Sequence, residues 1–190
     1  MRTFIALEFP SEVKDSLERL QGQLKEAAAD VKWVEPRNIH LTLKFLGERD
    51  EKKIKEIAQA LEESAGNKKS FTVSLSCLGA FPEINYPRVI WVGVEKGGAE
   101  ICAIAEELEE KISRLGIPKE KRQFSAHATI GRTRSAKNRA QLTRKLARLS
   151  GEAFKEQIEF FAERITLFKS TLGPKGALYE PLKEIILKAI

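Results

Sequence analysis

Hydrophobic and polar residues alternate along the chain with two periods, one typical of strands and one typical of helices. Short apolar runs at residues 3–7 and 89–94 predict strands. In the segments that follow, residues 10–27 and 99–116, apolar side chains recur every three or four positions, which predicts amphipathic helices. Because strands and helices alternate in this way, we expect a fold that contains helices packed on a sheet.

The same order of elements occurs twice along the chain. His40 and His127 lie in the second strand of each half, 127 − 40 = 87 residues apart. A polar amphipathic helix and another strand follow each histidine, and that strand begins 31 residues after it. We therefore interpret the chain of 190 residues as a single domain built by internal duplication, with halves of about 1–86 and 87–190. The helices after the histidines are predicted over 51–65 and 136–149, and the last strand over 177–187.

The alternation of strands and long helices is typical of an α/β or an α+β fold, and with the duplication we predict a bilobal α+β fold that has an active-site cleft. The two lobes would be related by a pseudo-two-fold axis, each with an antiparallel or mixed sheet and two helices. This axis would bring the two histidine-bearing strands together across the cleft. Segments 79–88 and 117–125 contain proline and charged residues, and we predict loops near the cleft for both.

The two histidines are the only ones in the chain, and each begins the pattern His-x-Thr. With 8 threonines in 190 residues, both would have a threonine two positions later by chance with a probability of (8/190)², or about 0.002. In a strand, residues i and i+2 project from the same face. His40 is therefore expected beside Thr42, and His127 beside Thr129, with the intervening apolar residues on the opposite face.

Two imidazoles and two hydroxyls around one small anion can perform acid–base chemistry. Histidine has an ordinary pKa of about 6.5, so a neutral imidazole can accept a proton while a protonated one donates. The hydroxyls of Thr42 and Thr129 would bind the non-bridging oxygens of a phosphate. No serine or cysteine nucleophile motif is present, and the chain offers too few ligands for zinc. The pattern favours phosphoryl transfer without a metal or other cofactor.

Composition narrows the classes of protein and partner. No apolar run reaches the roughly 18 residues of a membrane helix, and the first residues lack a signal-peptide pattern, so we expect a soluble cytoplasmic protein without membrane contact. The net charge of +6 suits a polyanionic partner. Abundant lysine and glutamate, with few asparagine, glutamine, cysteine and methionine residues, predict a thermophilic source.

Several other residues have both a functional and an ordinary interpretation. Lys44 shares the face of His40 by strand parity and could contact phosphate, although a solvated lysine at a strand end is the simpler expectation. Cys77 and Cys102 form no CxxC pattern and are predicted to be buried free thiols. Trp33 and Trp91 are predicted to lie in the core. Any one of four aromatic residues could stack on a nucleobase, and the sequence does not choose among Phe9, Phe45, Tyr86 and Phe124.

Three segments of the chain together resemble the 2H phosphoesterases, and within them the RNA 2′,3′-cyclic phosphodiesterases, also called 2′-5′ RNA ligases. These segments are NIHLTLKFLGE around His40, GAFPEINYPRVIWVGVE from Gly79, and FSAHATIGRTR around His127. The resemblance extends over nearly the whole chain. It implies a bilobal fold with both motifs lining a central cleft.

The resemblance also implies an activity and roles for individual residues. The reaction would open a terminal RNA 2′,3′-cyclic phosphate to a 2′-phosphomonoester, and ATP-independent 2′-5′ joining of tRNA halves also goes with the family. His40 corresponds to the proton donor and His127 to the proton acceptor. An arginine five residues after the second histidine corresponds to Arg132. Strand parity places Arg132 on the face opposite His127 unless a bulge at Gly131 redirects it.

Two alternatives to the RNA-end enzyme remain open at this stage. One is a phosphodiesterase for a small cyclic nucleotide or a 2′-5′ oligonucleotide. The other is a non-catalytic RNA-binding module, although a binder has no need of matched imidazoles. We expect a monomer, because the duplication already supplies both halves of the site.

Overall fold

The computed structural model describes residues 1–152, 158–174 and 176–189. In these residues strands and helices follow the order expected from the sequence, with two additional strands, Val31–Trp33 and Arg164–Gly173, that the sequence pattern did not predict. The elements are β1 (Arg2–Glu8), α1 (Ser11–Lys25), β2 (Val31–Trp33), a 3₁₀ helix (Pro36–Asn38), β3 (His40–Glu48), α2 (Glu51–Ala65), β4 (Phe71–Glu83), β5 (Tyr86–Val94), α3 (Gly98–Arg114), β6 (His127–Thr133), α4 (Arg139–Glu152), β7 (Ile158–Ala162), β8 (Arg164–Gly173) and β9 (Gly176–Ile186).

The strands form an antiparallel sheet in the order β7-β4-β5-β6-β3-β1-β8-β9, with β2 paired to β6. A single residue, Glu163, separates β7 from β8, although these strands lie near opposite ends of that order. The sheet therefore curls back toward itself. The architecture confirms the predicted α+β class with two lobes, which meet where β3 lies beside β6.

Each lobe combines elements from both halves of the chain. In one lobe, α2 and α3 pack together, α3 contacts β3, and α2 contacts β8 and β9. In the other lobe, α1 and α4 pack together and contact β4, β5 and β7. The lobes therefore do not coincide with the segments 1–86 and 87–190. The duplication of those segments stays a prediction.

The hydrophobic core lies between the helices and one face of the sheet. In α1 the buried apolar residues Val13, Leu17, Leu20 and Leu24 follow the three- and four-residue spacing of a single helix face. Of the residues next to the two histidines, Leu41 and Ala128 are fully buried. His40 and His127 are only half-buried, because they project from the other face of the sheet. None of the helices in the described ranges is both long and apolar enough to cross a membrane.

A β-bulge interrupts β3 immediately after the first motif. Ala6 of β1 pairs with Thr42, whereas the preceding residue, Ile5, pairs with Lys44. Leu43 is thus an extra residue that has no partner in this ladder. A bulge of this kind reverses the alternation of side chains beyond it.

A second bulge occurs at the equivalent position of β6. Trp91 of β5 pairs with Thr129, whereas Ile90 pairs with Gly131, so that Ile130 is the extra residue. The positions of the two bulges, 43 and 130, differ by 87 residues, as the two histidines do. Both motif strands therefore change face directly after their threonine.

The first bulge makes the expectation for Lys44 wrong in both of its forms. The side chain is 1% exposed and projects away from His40, toward α3. There its ammonium group lies 2.7 Å from a carboxylate oxygen of Glu109 and donates a hydrogen bond to the carbonyl of Pro118 at 3.1 Å. Lys44 therefore links β3 to α3 and to the following loop, and it is neither solvated nor in the cleft.

Three further expectations differ from the structure. Cys77 is exposed and Cys102 half-buried, although both are free thiols as predicted. Residues 79–88 are not a loop, since β4 continues to Glu83 and β5 begins at Tyr86, which leaves a two-residue hairpin turn. Helix α4 begins at Arg139 and not at residue 136, because Asn138 before it has a positive φ of 52°. The segment 117–125 contains no helix or strand, as predicted.

Candidate active site

The two motif strands meet at the boundary between the lobes. Leu41 of β3 pairs with Ala128 of β6 in an antiparallel bridge. In this register His40 lies opposite Thr129, and Thr42 lies opposite His127. Since directly opposite residues of an antiparallel pair have Cβ atoms about 4.5–5.5 Å apart, the four side chains share one small area of the sheet.

Both imidazoles are oriented by the same backbone contact. Nδ1 of His40 lies 2.7 Å from the carbonyl oxygen of Asn38, and Nδ1 of His127 lies 2.7 Å from that of Ser125. In each case the carbonyl belongs to the residue two positions earlier. Because a carbonyl oxygen only accepts hydrogen bonds, Nδ1 carries a proton in both rings. In the neutral form of each ring, Nε2 is consequently the nitrogen that carries no hydrogen.

His40 lies in an aromatic environment. Phe4 stacks on its ring with centroids 4.8 Å apart, and Tyr179 meets it edge-on at 5.4 Å. The pKa of His40 is lowered from 6.5 to about 4, chiefly by burial and to a smaller extent by the Lys14 ammonium group, while the hydrogen bond to the Asn38 carbonyl acts in the opposite direction. His40 is therefore neutral at pH 7 in the free protein. In this form Nε2 accepts a hydrogen bond from the Thr42 hydroxyl at 3.0 Å.

His127 also has aromatic neighbours, but they come from the other lobe. Phe81 of β4 meets the ring edge-on at 5.2 Å, and Trp91 of β5 at 6.1 Å. The Trp91 indole fits closely over Gly79, where an added Cβ would lie 2.3 Å from Cζ2 of the ring. Trp91 is therefore part of the wall beside His127, and the expectation that it lies in the core is wrong.

Arg132 is brought to the cleft face by the second bulge. Arg132 directly follows the extra residue Ile130 and Gly131, and its side chain is exposed. Burial raises the pKa of the Tyr179 hydroxyl above its ordinary value, and the charges of Arg132 and Arg2 offset part of this effect. Because the bulge shifts the alternation of side chains by one residue, Arg132 projects from the same face of the sheet as His127 and Thr129. Gly131 allows this arrangement, because a Cβ there would lie 2.9 Å from Trp33 and Val31.

The aromatic side chains of the cleft are mostly not those singled out from the sequence. Of the four candidates, Phe45 is 61% exposed and lies 6.4 Å from Phe4 on the cleft face. Phe9 is buried, and Phe124 is partly buried against the core. Tyr86 contacts Arg139 of α4, away from the histidines. The residues that do surround the imidazoles are Phe4, Phe81, Trp91, Phe168 and Tyr179, which only the strand pairing reveals.

A cavity of about 200 Å³ opens beside His40. Its lining includes residues of β1, β8 and β9, which lie on the opposite side of β3 from the His127 strand β6. Its lining is mixed in chemistry, with two cationic side chains, one carboxylate and two aromatic rings. The lining residues are Glu8, Lys14, Arg37, Asn38, Ile39, His40, Phe168 and Tyr179.

The site combines two imidazoles with two hydroxyls and a guanidinium group. Such a set can bind an anion and transfer protons on either side of it. In the described ranges, no group of three or more histidine, cysteine, aspartate or glutamate side chains could hold a metal ion.

Comparison with known proteins by sequence identifies the family of this chain. The model of the LigT-like phosphoesterase family matches residues 7–91 and again residues 92–179. The chain is 39% identical over 184 residues to the RNA 2′,3′-cyclic phosphodiesterase of Methanocaldococcus jannaschii, covering 97% of this chain and 99% of that protein. It is 36% identical to the corresponding protein of Archaeoglobus fulgidus, over 96% of this chain and 98% of the relative.

Solved structures show the same fold. A crystal structure of a Thermus thermophilus protein superposes with a TM-score of 0.79 at 26% identity, covering 100% of this chain and 99% of the other. The apo form of E. coli LigT gives a TM-score of 0.76 at 23% identity, covering 98% and 97%. With a family model matched across most of its length and relatives above 30% identity, the chain belongs to the LigT-like phosphoesterases.

Proposed function

We propose that this protein hydrolyses the 2′,3′-cyclic phosphate at the 3′ end of RNA to a 2′-phosphomonoester, without a metal ion. The observation that carries the proposal is the pair of imidazoles on one face of the sheet, each with Nδ1 bound to a backbone carbonyl and Nε2 left for proton transfer. The relatives named RNA 2′,3′-cyclic phosphodiesterase support the substrate class. The net charge of +6 favours a polyanion such as RNA.

The reaction proceeds by in-line displacement at phosphorus. Nε2 of His127 takes a proton from water as the water oxygen attacks phosphorus from the side opposite the ribose 3′-oxygen. The bond between phosphorus and the 3′-oxygen breaks, and the protonated Nε2 of His40 donates its proton to that oxygen. One water is consumed, and the product has a 2′-phosphate and a free 3′-hydroxyl. The two histidines then exchange protons with solvent before the next turnover.

The remaining polar groups stabilise the negative charge that develops on phosphorus. The hydroxyls of Thr42 and Thr129 donate hydrogen bonds to its non-bridging oxygens, and Arg132 contributes a positive charge from the His127 strand. Donors held in place before the reaction are most effective at this point, because they need no reorganisation. If the 5′-hydroxyl of a second RNA replaces water on the His127 side, the same displacement forms a 2′-5′ phosphodiester and releases the 3′-oxygen as a hydroxyl, which would join tRNA halves. One chain supplies the whole constellation, so we propose a monomer.

The low pKa of His40 requires that the substrate help to protonate it. We expect a bound anion to raise the pKa of His40 above its free value of about 4, because the negative charge favours the imidazolium form. By linkage, the anion should bind more tightly as the pH falls from 7 toward 5. Sulfate is a suitable probe, since it is tetrahedral and keeps its charge in this range.

NMR titration of the two histidine ring signals, with and without saturating sulfate, measures this coupling. A His127→Gln variant assigns the signals, and chloride at equal ionic strength is the control for screening. An unchanged pKa of His40 in sulfate would contradict the donor role that we assign to this residue.

The direct test of the function is an RNA oligonucleotide that ends in a 2′,3′-cyclic phosphate, incubated with the protein in EDTA. We expect the product to gain the mass of one water and to carry a 2′-phosphate. The dependence of turnover on pH should be bell-shaped, since one imidazole must be protonated and the other neutral.

Other outcomes of this assay would change the proposal. A strict requirement for a divalent ion, or a 3′-phosphate as product, would rule out the mechanism above. Turnover of small cyclic nucleotides or 2′-5′ oligonucleotides but not of RNA would favour the first alternative. Binding of the RNA without turnover would indicate a non-catalytic module.

A further inference from the structure

We propose that the cavity beside His40 binds the phosphodiester that joins the terminal nucleotide of the RNA to the nucleotide before it, with Lys14 as its cationic ligand. This inference rests on the function proposed above and specifies the substrate of the same site. The enzyme would therefore recognise an RNA end, and not merely a nucleoside cyclic phosphate.

The position of the cavity follows the direction in which the substrate extends. In-line displacement places the attacking water and the ribose 3′-oxygen on opposite sides of phosphorus. Water is held by His127 and the 3′-oxygen by His40, so the ribose lies on the His40 side. The 5′-carbon of that ribose carries the next phosphodiester of the strand. A cavity adjacent to His40 and away from His127 therefore lies along the course of the RNA.

The size of the cavity fits part of a nucleotide. Pockets that enclose a whole ligand of drug size measure about 300–1,000 Å³. The cavity of about 200 Å³ is smaller, and it suits a sugar and phosphate more than an entire nucleotide. The rings of Phe168 and Tyr179, with centroids 6.2 Å apart, form its apolar side.

The charges around the cavity single out Lys14. Arg37 is already paired, with its guanidinium group 2.7 Å from Glu35. The Glu8 carboxylate accepts a hydrogen bond from the Thr166 hydroxyl of β8, so it already has a partner within the protein. Within the part of the chain that the structure describes, Lys14 forms no hydrogen bond through its ammonium group and no ion pair, although it is half-buried. Its three donors are thus available to an anion in the cavity.

A phosphodiester on Lys14 would also assist the reaction. The Lys14 charge lies close enough to His40 to lower the pKa of that imidazole. An anion bound to Lys14 would offset this charge, and so favour the protonated His40 that donates to the leaving oxygen. Binding of the upstream phosphate and readiness of the acid would then be coupled.

The test uses two dinucleotides that both end in a 2′,3′-cyclic phosphate. In one the internal linkage is a phosphodiester, and in the other it is an uncharged methylphosphonate of nearly the same shape. We expect the wild-type protein to show about a tenfold higher kcat/KM for the charged linkage, as a single charge-assisted contact provides. In Lys14→Gln this ratio should fall to about two. Because both substrates use the same acid and base, the ratio cancels any effect of the substitution that is common to the two substrates.

Two further variants complete the test. Lys25→Gln removes one positive charge from the exposed end of the same helix and should keep the wild-type ratio. Lys14→Arg should retain most of the preference. Equal ratios in wild type and Lys14→Gln, or a wild-type ratio near one, would overturn the inference while the phosphodiesterase function stands. Failure to turn over either dinucleotide would overturn both.

Discussion

Replacing either His40 or His127 with alanine is expected to lower turnover of an RNA 2′,3′-cyclic phosphate by about 10²–10⁴-fold, the usual contribution of a positioned acid or base. Each variant loses the Nε2 that transfers a proton, while the backbone carbonyl that oriented the ring remains. The measurement is kcat with saturating substrate, together with a thermal unfolding curve that shows each variant to be folded.

The double variant provides a second check on the same prediction. Two groups that act in one step are not additive, so the double variant should be little worse than the slower single variant. Thr42→Val and Thr129→Val keep the side-chain shape and should cost less, partly through KM, whereas Thr171→Val at an exposed position of β8 should cost nothing. A full multiplicative loss in the double variant would mean that the histidines act in separate steps.

The second large effect distinguishes the proton donor from the acceptor. An aryl phosphodiester has a leaving group that departs without a proton, so the general acid contributes little to its hydrolysis. We expect His40→Ala to regain most of the wild-type rate with this substrate, because only its acid role has been removed. His127→Ala should stay impaired by about 10²-fold or more, because water still has to be activated.

The measurement is the turnover of the aryl phosphodiester divided by that of the RNA 2′,3′-cyclic phosphate, compared between His40→Ala and His127→Ala. Restoration of His127→Ala in place of His40→Ala would reverse the two roles. Restoration of neither variant would show that the imidazoles chiefly position the phosphate. The low pKa of His40 makes this comparison informative, since a residue that is neutral in the free protein at pH 7 must be protonated in the complex to act as an acid.

The two bulges show how far strand parity can be trusted. Alternation alone places Lys44 with His40 and directs Arg132 away from His127. The extra residues Leu43 and Ile130 reverse both assignments. Both are apolar and buried, so they look like ordinary inward-facing strand residues in the sequence, and no local signal marks them as unpaired. Gly131 in β6 is compatible with a bulge, but the corresponding position in β3 is occupied by Lys44, which gives no such indication.

The aromatic residues of the cleft illustrate a second limit. Phe81 and Trp91 lie 46 and 36 residues before His127, and Tyr179 lies 139 residues after His40. Their contacts with the imidazoles exist because β4 and β5 lie next to β6, and because β9 reaches the β1 side of the sheet through β8. Strand order of this kind depends on long-range pairing, which apolar periodicity does not encode.

Most of the order of helices and strands, the α+β class and the two His-x-Thr patterns can be read from the amino-acid sequence, because each depends on local periodicity or on spacing along the chain. Strands β2 and β8 were not predicted. The elements that form each lobe depend instead on tertiary packing, since α1 packs with α4 and α2 with α3 across the two halves. Packing also selects the side chains that enter the cleft, through the bulges after Thr42 and Thr129. The cavity with Lys14 depends on it most of all, because α1, β3, β8 and β9 must come together before Lys14 lies beside His40.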